Sequence, residues 1–311
     1  MKINDQNKKL LERLIVKKNL IDSYRPFSST ILKRLRQDWV LEWTYHTNAI
    51  EGNTLSLGET RMVLLDGLAI GGKSLREHFE AINHQTAIEL LEDLVTQDSA
   101  FTVSDLLDLH TLIMQNIDLD FAGRIRNGRV RILGANFVPP PPYKVSSLLD
   151  ELFLTMRQNS HEMEAPIRAA WFHHQLVHIH PFFDGNGRTA RLAMNLILMK
   201  SAYPPAIILN HDKQKYFTAL NLANKGDFQK LLLLIFQAIE RSLNMYLNAL
   251  PDHYDDYLPI SAIVEEDDIP YGAEYVSLLA RRGLINAHKE GRNWVTSKKS
   301  ILNYLKSINK D

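Results

Sequence analysis

Apolar residues recur at steps of three and four along most of this 311-residue chain, and no other feature constrains the fold as strongly. Leu10, Leu11 and Leu14 are the first instance, and the same spacing returns in successive segments as far as residue 250. Steps of three and four place side chains on one face of an α-helix. The spacing therefore predicts an all-α fold of amphipathic helices packed on one another.

One stretch, GRIRNGRVRILGANFVPPPPYKV at residues 123–145, departs from the helical pattern. Val130 and Ile132 alternate with polar residues between two glycines, and a run of prolines follows. Alternation with a period of two is typical of a β-strand. This stretch predicts a small β-hairpin flap within the helical fold.

Charge and cysteine content exclude several functions. Lys and Arg number 36, as do Asp and Glu, so bulk positive charge cannot hold the chain to nucleic acid or to an anionic membrane. The chain has no cysteine, which excludes disulfides, iron–sulfur clusters, thiolate zinc sites and a thiol nucleophile. The polar N-terminus lacks a signal-peptide core, and no apolar run approaches the roughly 18 residues of a membrane span. We expect a cytoplasmic protein without a membrane partner.

The pattern changes again after Pro251, where an acidic, Tyr-rich linker leads into two short helical segments and a hairpin, LINAHKEGRNWVT. Helix, helix and hairpin is the order of a winged helix. We therefore predict a small winged helix-turn-helix-like domain over residues 258–311. Before it we predict an N-terminal helical region over residues 1–95 and a main unit over residues 96–250.

The segment HIHPFFDGNGRTAR, residues 178–191, carries the chemistry. Gly185 and Gly187 let successive backbone N–H groups point into one concavity directly before a helix, which is an anion-binding arrangement. Arg188 and Arg191 are three residues apart on that helix, so both guanidinium groups can reach one phosphate chain.

Two further residues of this segment have separable tasks. Asp184 precedes the glycines, where a carboxylate would repel phosphate unless a hard cation such as Mg²⁺ bridges them. His180 can present a neutral imidazole to an incoming hydroxyl as a general base. A histidine metal site is the less favoured alternative, because no Glu or further His recurs at ligand spacing around His173, His174 and His178.

HPFFDGNGRTAR, residues 180–191, resembles the signature of the Fic domain family, His-Pro-Phe-x-(Asp/Glu)-Gly-Asn-Gly-Arg-x-x-Arg, at every position. The resemblance extends over about residues 40–250 and identifies residues 96–250 as a Fic catalytic core. It implies a helical enzyme that transfers a nucleotide monophosphate, usually AMP from ATP, to a protein hydroxyl.

The resemblance also implies roles for individual residues. His180 would deprotonate a target Ser, Thr or Tyr, and Asp184 would hold Mg²⁺. The implied ATP-binding residues are Asp184, Gly185, Asn186, Gly187, Arg188, Arg191, Tyr216 and Asn224, with Arg188 on the leaving pyrophosphate and Arg191 on the γ-phosphate. The implied target-docking flap, which clamps a target segment by strand addition, consists of Arg131, Ile132, Leu133 and Gly134.

A second string, TNAIEGN at residues 47–53, resembles the family's inhibitory motif, (Ser/Thr)-x-x-x-Glu-(Gly/Asn). Its position before the Fic core resembles the class that carries its own inhibitory helix. Glu51 would pair with Arg191, which removes a partner of the γ-phosphate and adds negative charge where phosphate should lie.

Together these features predict an adenylyltransferase, autoinhibited by Glu51, that uses ATP and Mg²⁺ to modify a target protein or itself. Two alternatives stay open: hydrolytic removal of AMP at the same site, and DNA binding through residues 258–311. Acidic residues in that domain oppose DNA phosphates, so docking to the enzyme core, a second subunit or a target is the favoured use. A homodimer also stays open. The basic residues that favour DNA are Arg281, Arg282, Lys289, Arg292, Lys298 and Lys299.

Overall fold

A computed structural model of the chain describes residues 2–132, 136–158, 162–250, 256–265 and 269–308. Helices dominate the described residues before 250, as the spacing predicts. They are α1 (Asp5–Asp22), α2 (Ser29–Glu51), α3 (Leu57–Asp66), α4 (Leu75–Thr96), α5 (Val103–Met114), α6 (Val145–Gln158), α7 (Ala165–Ile179), α8 (Asn186–Lys200), α9 (Lys213–Ala223) and α10 (Gln229–Asn248). The all-α class is confirmed.

Local sequence sets the helix ends that matter for the site. Gly52 adopts a left-handed conformation, φ 108°, and ends α2 directly after Glu51. Ser56 then caps α3 and Glu59 bonds back to it, which is the expected capping box. Glu51 is therefore fixed at the carboxyl end of a 23-residue helix.

Helix α8 lies within the main hydrophobic core, and only Gly187, Met199 and Lys200 of its residues are not buried. The same core contains Trp43 and Ile50 of α2 and residues of α10. The proposed region 1–95 and the main unit thus contribute to one continuous core. The boundary at residue 95 stays a prediction.

The C-terminal residues form a separate small core around Val276, Leu279 and Ile301. Its elements are β1 (Leu258–Pro259), α11 (Ile260–Ile263), α12 (Ala273–Arg281), β2 (Ala287–Glu290), β3 (Asn293–Thr296) and α13 (Lys298–Ile308). The strands are antiparallel in the order β1-β3-β2, and Glu290 pairs with Asn293 across a two-residue turn. Both helices and the hairpin follow the predicted order, and β1 and α13 are additions.

Buried charges attach this C-terminal unit to α1 and α10. Arg13 of α1 binds Glu240 of α10, with 2.5 Å between Nε and Oε1, and donates to the carbonyl oxygen of Gly283 at 3.0 Å. Lys17 Nζ donates to Glu240 Oε1 at 2.7 Å and to Asn286 Oδ1 at 2.5 Å. The Glu240 carboxylate of α10 thus holds Arg13 and Lys17 of α1, and these two cations in turn bind the C-terminal unit.

The predicted flap differs from a hairpin. Residues 124–132 and 136–144 form no strand ladder, and Leu133 and Gly134 lie outside the described residues. Arg126 supplies the reason, because its buried guanidinium donates to the carbonyl oxygens of Gly128 at 2.9 Å and Pro140 at 2.6 Å. A side chain, and not a ladder, holds the two arms together.

None of the helices in the described part of the chain is long and apolar enough to cross a membrane.

Candidate active site

His180 follows α7 in a left-handed conformation, with φ 52° and ψ 61°. Its Nδ1 lies 3.4 Å from the carbonyl oxygen of Val177, so this nitrogen donates and Nε2 keeps a free lone pair. Burial lowers the pKa of His180 to about 4. The charge of Arg126 also lowers this pKa, whereas the charges of Glu51 and Asp184 raise it. The imidazole is therefore neutral near pH 7, as a general base must be.

Three contacts fix the loop after His180. Phe182 is fully buried and stacks on His110, with ring centroids 3.6 Å apart. The Asn186 side-chain amide both accepts from the N–H and donates to the C=O of Phe182, each at 2.9 Å. Arg126 Nε donates to the carbonyl oxygen of His180 at 2.7 Å. The Asn186 side chain is thus committed to the loop, which leaves its backbone N–H for an anion.

Two glycines form the concavity at the start of α8. Gly185 has φ 74°, and a Cβ there would lie 3.2 Å from both His110 and the Met114 sulfur, which only glycine avoids. At Gly187 a Cβ would collide with Glu51 Oε1. The Glu51 carboxylate therefore lies against the first turn of α8, where unpaired N–H groups and the helix dipole attract an anion.

Arg191 binds both Glu51 and Thr47, the two ends of the TNAIE segment of α2. Its Nη2 donates to Glu51 Oε1 at 2.6 Å, and its Nε donates to Thr47 Oγ1 at 2.7 Å. Burial alone would lower the pKa of Arg191, and the Glu51 charge raises it above its ordinary value. The Arg191 side chain is 3% exposed and that of Glu51 is 34% exposed, so solvent reaches the pair from the carboxylate side.

Asp184 and Arg188 form a second charged group with α4. Arg188 Nη1 lies 3.2 Å from Glu80 Oε1, and its Nη2 lies 3.6 Å from Asp184 Oδ1. Arg76 contacts the other Asp184 oxygen, Oδ2. Burial would raise the pKa of Asp184, but Arg188, the Gly185 N–H and Arg76 together hold it below its ordinary value. Asp184 is therefore a carboxylate near pH 7.

The donor set at Asp184 suits one kind of metal site. The described residues contain no group of three or more His, Cys, Asp or Glu side chains that could hold an ion. A single half-exposed carboxylate instead fits Mg²⁺, which keeps several waters and takes oxygens from a phosphate substrate.

Tyr216 and Asn224, which the family resemblance places at the adenine and ribose pocket, occupy different environments. The Tyr216 hydroxyl lies 2.9 Å from His173 Nε2, and its side chain is fully buried, so neither face of the ring is open to a base. Arg191 of the motif also donates to the Tyr216 hydroxyl, and a role of Tyr216 in nucleotide binding stays a prediction. Asn224 ends α9 half-buried, and its Oδ1 accepts from His174 Nε2 at 2.9 Å and His178 Nδ1 at 3.1 Å.

The flap presents a backbone segment that belongs to no helix or strand. From Asn127 to Ile132 the residues alternate between exposed and half-buried, with Arg131 exposed and Ile132 half-buried. This part of the flap has no ladder partner among the described residues. Strand addition requires such an unpaired backbone edge.

Sequence reasoning missed Arg76, Glu80 and Arg126. Arg76 and Glu80 are four residues apart on α4, a spacing that indicates a charged pair on one helix face but not its contact with Asp184. No pattern in the flap marks Arg126 as buried.

Comparisons with known proteins agree with this geometry. Residues 100–198 match the Fic/DOC family. A structure of residues 134–508 of Fic-1 from Caenorhabditis elegans superposes with a TM-score of 0.72 at 35% identity, over 78% of this chain and 72% of that one. The chain belongs to the Fic family.

Two further proteins extend the comparison. "Protein adenylyltransferase Fic" of Drosophila ananassae is 35% identical over 251 residues, which are 80% of this chain and 50% of that protein. This chain spans about half the length of the curated relatives it matches. A Fic family protein from Desulfovibrio desulfuricans, 22% identical, shares the fold over 98% of this chain with a TM-score of 0.66.

Proposed function

We propose that this protein is an adenylyltransferase that transfers AMP from ATP to a Ser, Thr or Tyr hydroxyl of a target protein or of itself, and that Glu51 inhibits it. One observation carries the proposal: the Glu51 carboxylate lies on Gly187 and Arg191, at the anion-binding turn that the Fic motif builds. Relatives of 33–39% identity that are named protein adenylyltransferases support it.

The residues at the start of α8 would bind the triphosphate. Backbone N–H groups of Asn186 and Gly187 would hold the α- and β-phosphates, and that of Gly185 would join them once Asp184 Oδ1, which now accepts from it at 2.6 Å, turns to the cation. Arg188 and Arg191 are buried cations, and Arg188 Nε has no hydrogen-bond partner in the described residues, so a phosphate oxygen would give it one. They would bind the leaving pyrophosphate and the γ-phosphate.

Asp184 would hold Mg²⁺ between the protein and the phosphates. When bound, the cation would neutralise charge that develops on the departing pyrophosphate. Arg76 must first release Asp184 Oδ2, so the present ion pair and the metal are alternatives.

His180 would supply the proton transfer. Its Nε2 would take the proton of the target hydroxyl while that oxygen attacks the α-phosphorus and the bond to pyrophosphate breaks. The flap segment 127–132 would hold the target segment by backbone pairing and so place the hydroxyl beside His180. Inhibition follows because Glu51 and the γ-phosphate compete for Arg191.

The deciding experiment incubates the whole chain with Mg²⁺ and each labelled nucleoside triphosphate, and reads self-modification by mass. Glu51→Gly should gain one AMP or more per chain from ATP. Glu51→Gly with His180→Ala should lose about 10²–10⁴ in rate but retain ATP binding. Transfer that persists without His180, or in EDTA, would contradict the assigned roles.

A second candidate is hydrolysis of AMP from a modified target at the same site, with Glu51 orienting the water. The Glu51 carboxylate supports this candidate, because it is half-exposed to water and near enough to His180 for its charge to act on that imidazole. Incubation of an AMP-modified chain with wild type and Glu51→Gly separates the two, because only hydrolysis requires Glu51.

The C-terminal unit favours docking over DNA binding. Lys289, one of the basic residues that favour DNA, donates to Asp212 Oδ1 of the core at 2.6 Å, and Arg241 Nε of α10 binds the Lys289 carbonyl oxygen at 2.8 Å. The hairpin is therefore held by the core. Duplex binding with a steep salt dependence would contradict this proposal.

We also propose that the protein forms a homodimer. Six large apolar side chains on α3, α4 and their connection are exposed, and burying them against a second copy would remove apolar surface from water. They are Leu57, Met62, Leu65, Leu68, Leu75 and Ile82. Sedimentation of wild type and Leu75→Asp tests it, because a monomeric wild type would contradict the proposal.

A further inference from the structure

A cavity of about 420 Å³ lies outside the Fic motif, between the core and the C-terminal unit. Its volume is within the range of small-molecule sites in proteins. Ile208 and Leu233 contribute to an apolar lining from the core, and Trp294 of β3 contributes from the C-terminal unit. No residue of the catalytic motif lines it. A ligand there would therefore contact both units without entering the active site.

The lining is unusually cationic for a chain whose charges balance. Five basic residues line the cavity against a single carboxylate, that of Asp212. The basic residues are Lys215, Lys230, Arg241, Arg281 and Lys289. Asp212 pairs with both Lys215 and Lys289, at 3.0 and 2.6 Å. One carboxylate shared by two lysines leaves a surplus of positive charge around an apolar space.

Arg241 is the residue of this group most withdrawn from solvent, at 7% exposure. Its Nη2 donates to Glu42 Oε2 of α2 at 2.6 Å, and its Nε donates to the Lys289 carbonyl oxygen at 2.8 Å. Its third nitrogen, Nη1, has no hydrogen-bond partner in the described residues. A buried donor without a partner is costly, and an anion would satisfy it.

The contacts of Arg241 also reach the inhibitory helix. Glu42 lies nine residues before Glu51 on α2, about 13 Å along one continuous helix. Asn210, in the segment that contributes Leu209 and Asp212 to the cavity, donates its N–H to His46 Nδ1 of α2 at 3.2 Å. Two contacts therefore join the cavity wall to the helix that positions Glu51.

We propose that this cavity binds a small organic anion with an apolar body, and that the bound anion loosens the hold of Arg241 on α2. The apolar body would occupy the space beside Trp294, and its phosphate, carboxylate or sulfonate group would lie among Arg241, Lys230 and Arg281. The anion binds the free Nη1 and draws the guanidinium toward the cavity, which weakens the bond of Nη2 to Glu42, so the carboxyl end of α2 moves more freely. The consequence for AMP transfer rests on the proposed function, whereas the binding and the motion of α2 do not.

Binding is tested on the whole chain with 1-anilinonaphthalene-8-sulfonate, against its neutral counterpart N-phenyl-1-naphthylamine and against inorganic phosphate. The sulfonate should bind one per chain and more tightly than either comparison compound. Ala238→Phe, which fills the cavity without removing charge, should abolish binding. Lys230→Gln with Arg281→Gln should weaken it about three- to tenfold, since two exposed cations are lost.

Lys9→Gln, an exposed lysine on α1, is the matched control and should bind as the wild type does. These variants keep Arg241, so the test does not depend on folding without it. Equal binding of the neutral compound, or binding that survives Ala238→Phe, would overturn the anion site.

The link to α2 is tested by amide hydrogen exchange over residues 42–52 with and without the sulfonate. Exchange should rise in wild type and stay unchanged in Ala238→Phe. Unchanged exchange in the liganded wild type would overturn the link. If AMP transfer is also correct, the sulfonate should raise self-modification of wild type but not of Glu51→Gly. Increased exchange without any transfer would then count against the proposed activity and not against the site.

Discussion

Two regions of the protein bury basic side chains against carboxylates, and they differ in the exposure of the carboxylate. At the Fic motif Arg191 is buried, but Glu51 is 34% exposed. At the C-terminal interface Glu240 is 1% exposed and lies between Arg13 and Lys17. A half-exposed carboxylate can return to water when phosphate replaces it, whereas Glu240 cannot leave without breaking the interface. The first arrangement suits exchange and the second suits permanent attachment.

The pKa of Glu240 supports this distinction. Burial would raise it, but Lys17 and Arg13 lower it to about 2. The carboxylate therefore stays charged down to that pH. Its stabilisation, present above the ordinary pKa of 4.5, is lost only as pH falls toward about 2.

The largest expected effect is at the C-terminal interface, where Glu240 is excluded from solvent. Glu240→Ala leaves the buried Lys17 and the half-buried Arg13 without their counter-charge, so the free energy of unfolding should fall by about 3–5 kcal/mol. Urea unfolding followed by circular dichroism measures it. Asp5→Ala is the control, because the pair of Asp5 with Lys8 is exposed and should matter by about 1 kcal/mol or less. A loss at Glu240 no larger than at Asp5 would remove the distinction.

At the Fic motif, where the carboxylate is half-exposed, Glu51→Gly should change activity more than stability. At about 4 Å and an effective dielectric of about 20 the bare attraction of such a pair is about 4 kcal/mol, and an exposed pair is worth about 0–1 kcal/mol. If the free energy of the Glu51–Arg191 pair lies between these limits, Glu51→Gly should raise self-modification by about one to three orders of magnitude at fixed ATP. Initial rates by mass spectrometry measure it.

Arg191→Ala breaks the same pair and should not activate, because it also removes the partner of the γ-phosphate. The opposite signs of the two changes distinguish inhibition from simple ion-pair loss. A folded Glu51→Gly protein with equal or lower activity would contradict autoinhibition and favour the hydrolytic role of Glu51.

A smaller effect is expected at the second exposed pair, Arg76 with Asp184. Arg76→Ala frees the carboxylate, so the Mg²⁺ concentration for half-maximal self-modification should fall about two- to fivefold in the Glu51→Gly background. Arg36→Ala is a matched control, since its pair with Glu92 is similarly exposed and lies away from the motif residues. A higher Mg²⁺ requirement would instead place Arg76 on the phosphates.

The same comparison explains what the sequence could predict. The anion-binding turn within residues 180–191 was predictable, because local spacing and helix-end signals place those residues, whereas the pair of Glu51 with Arg191, 140 positions apart, was expected only from the family resemblance. The helix ends at Gly52 and Ser56 follow local rules and are confirmed. Such features depend on chemistry within a few residues along the chain.

Contacts between distant segments were not predictable. Glu240 binds Arg13 across 227 positions, and Arg126 replaces a ladder in the flap by bonding to His180 and Pro140. The family resemblance alone assigned Tyr216 to the nucleotide, and it gave no sign that tertiary packing buries the side chain on His173. Single-sequence patterns give no partner for a charge that is buried only when the whole fold has formed.

The smallest expected effect is a pH dependence that stays nearly flat. Burial disfavours the charged imidazolium and lowers the pKa of His180 from 6.5 to about 4, so the base is already free of its proton above pH 5. Self-modification by Glu51→Gly should therefore change by less than about twofold between pH 7.5 and 5.5, whereas a base with the ordinary pKa would lose about tenfold. Initial rates at saturating ATP measure it.

Folding must be checked at each pH, because burial also lowers the pKa values of His84 and His173. Their neutral forms favour the folded state, so stability declines as pH falls below 6.5 toward their lowered pKa values. Circular dichroism at pH 5.5 separates this loss from a titrating base. A tenfold fall in rate with the fold intact would mean that solvent reaches His180 as freely as it reaches Glu51. The imidazole would then resemble the half-exposed Glu51 and not the buried Glu240.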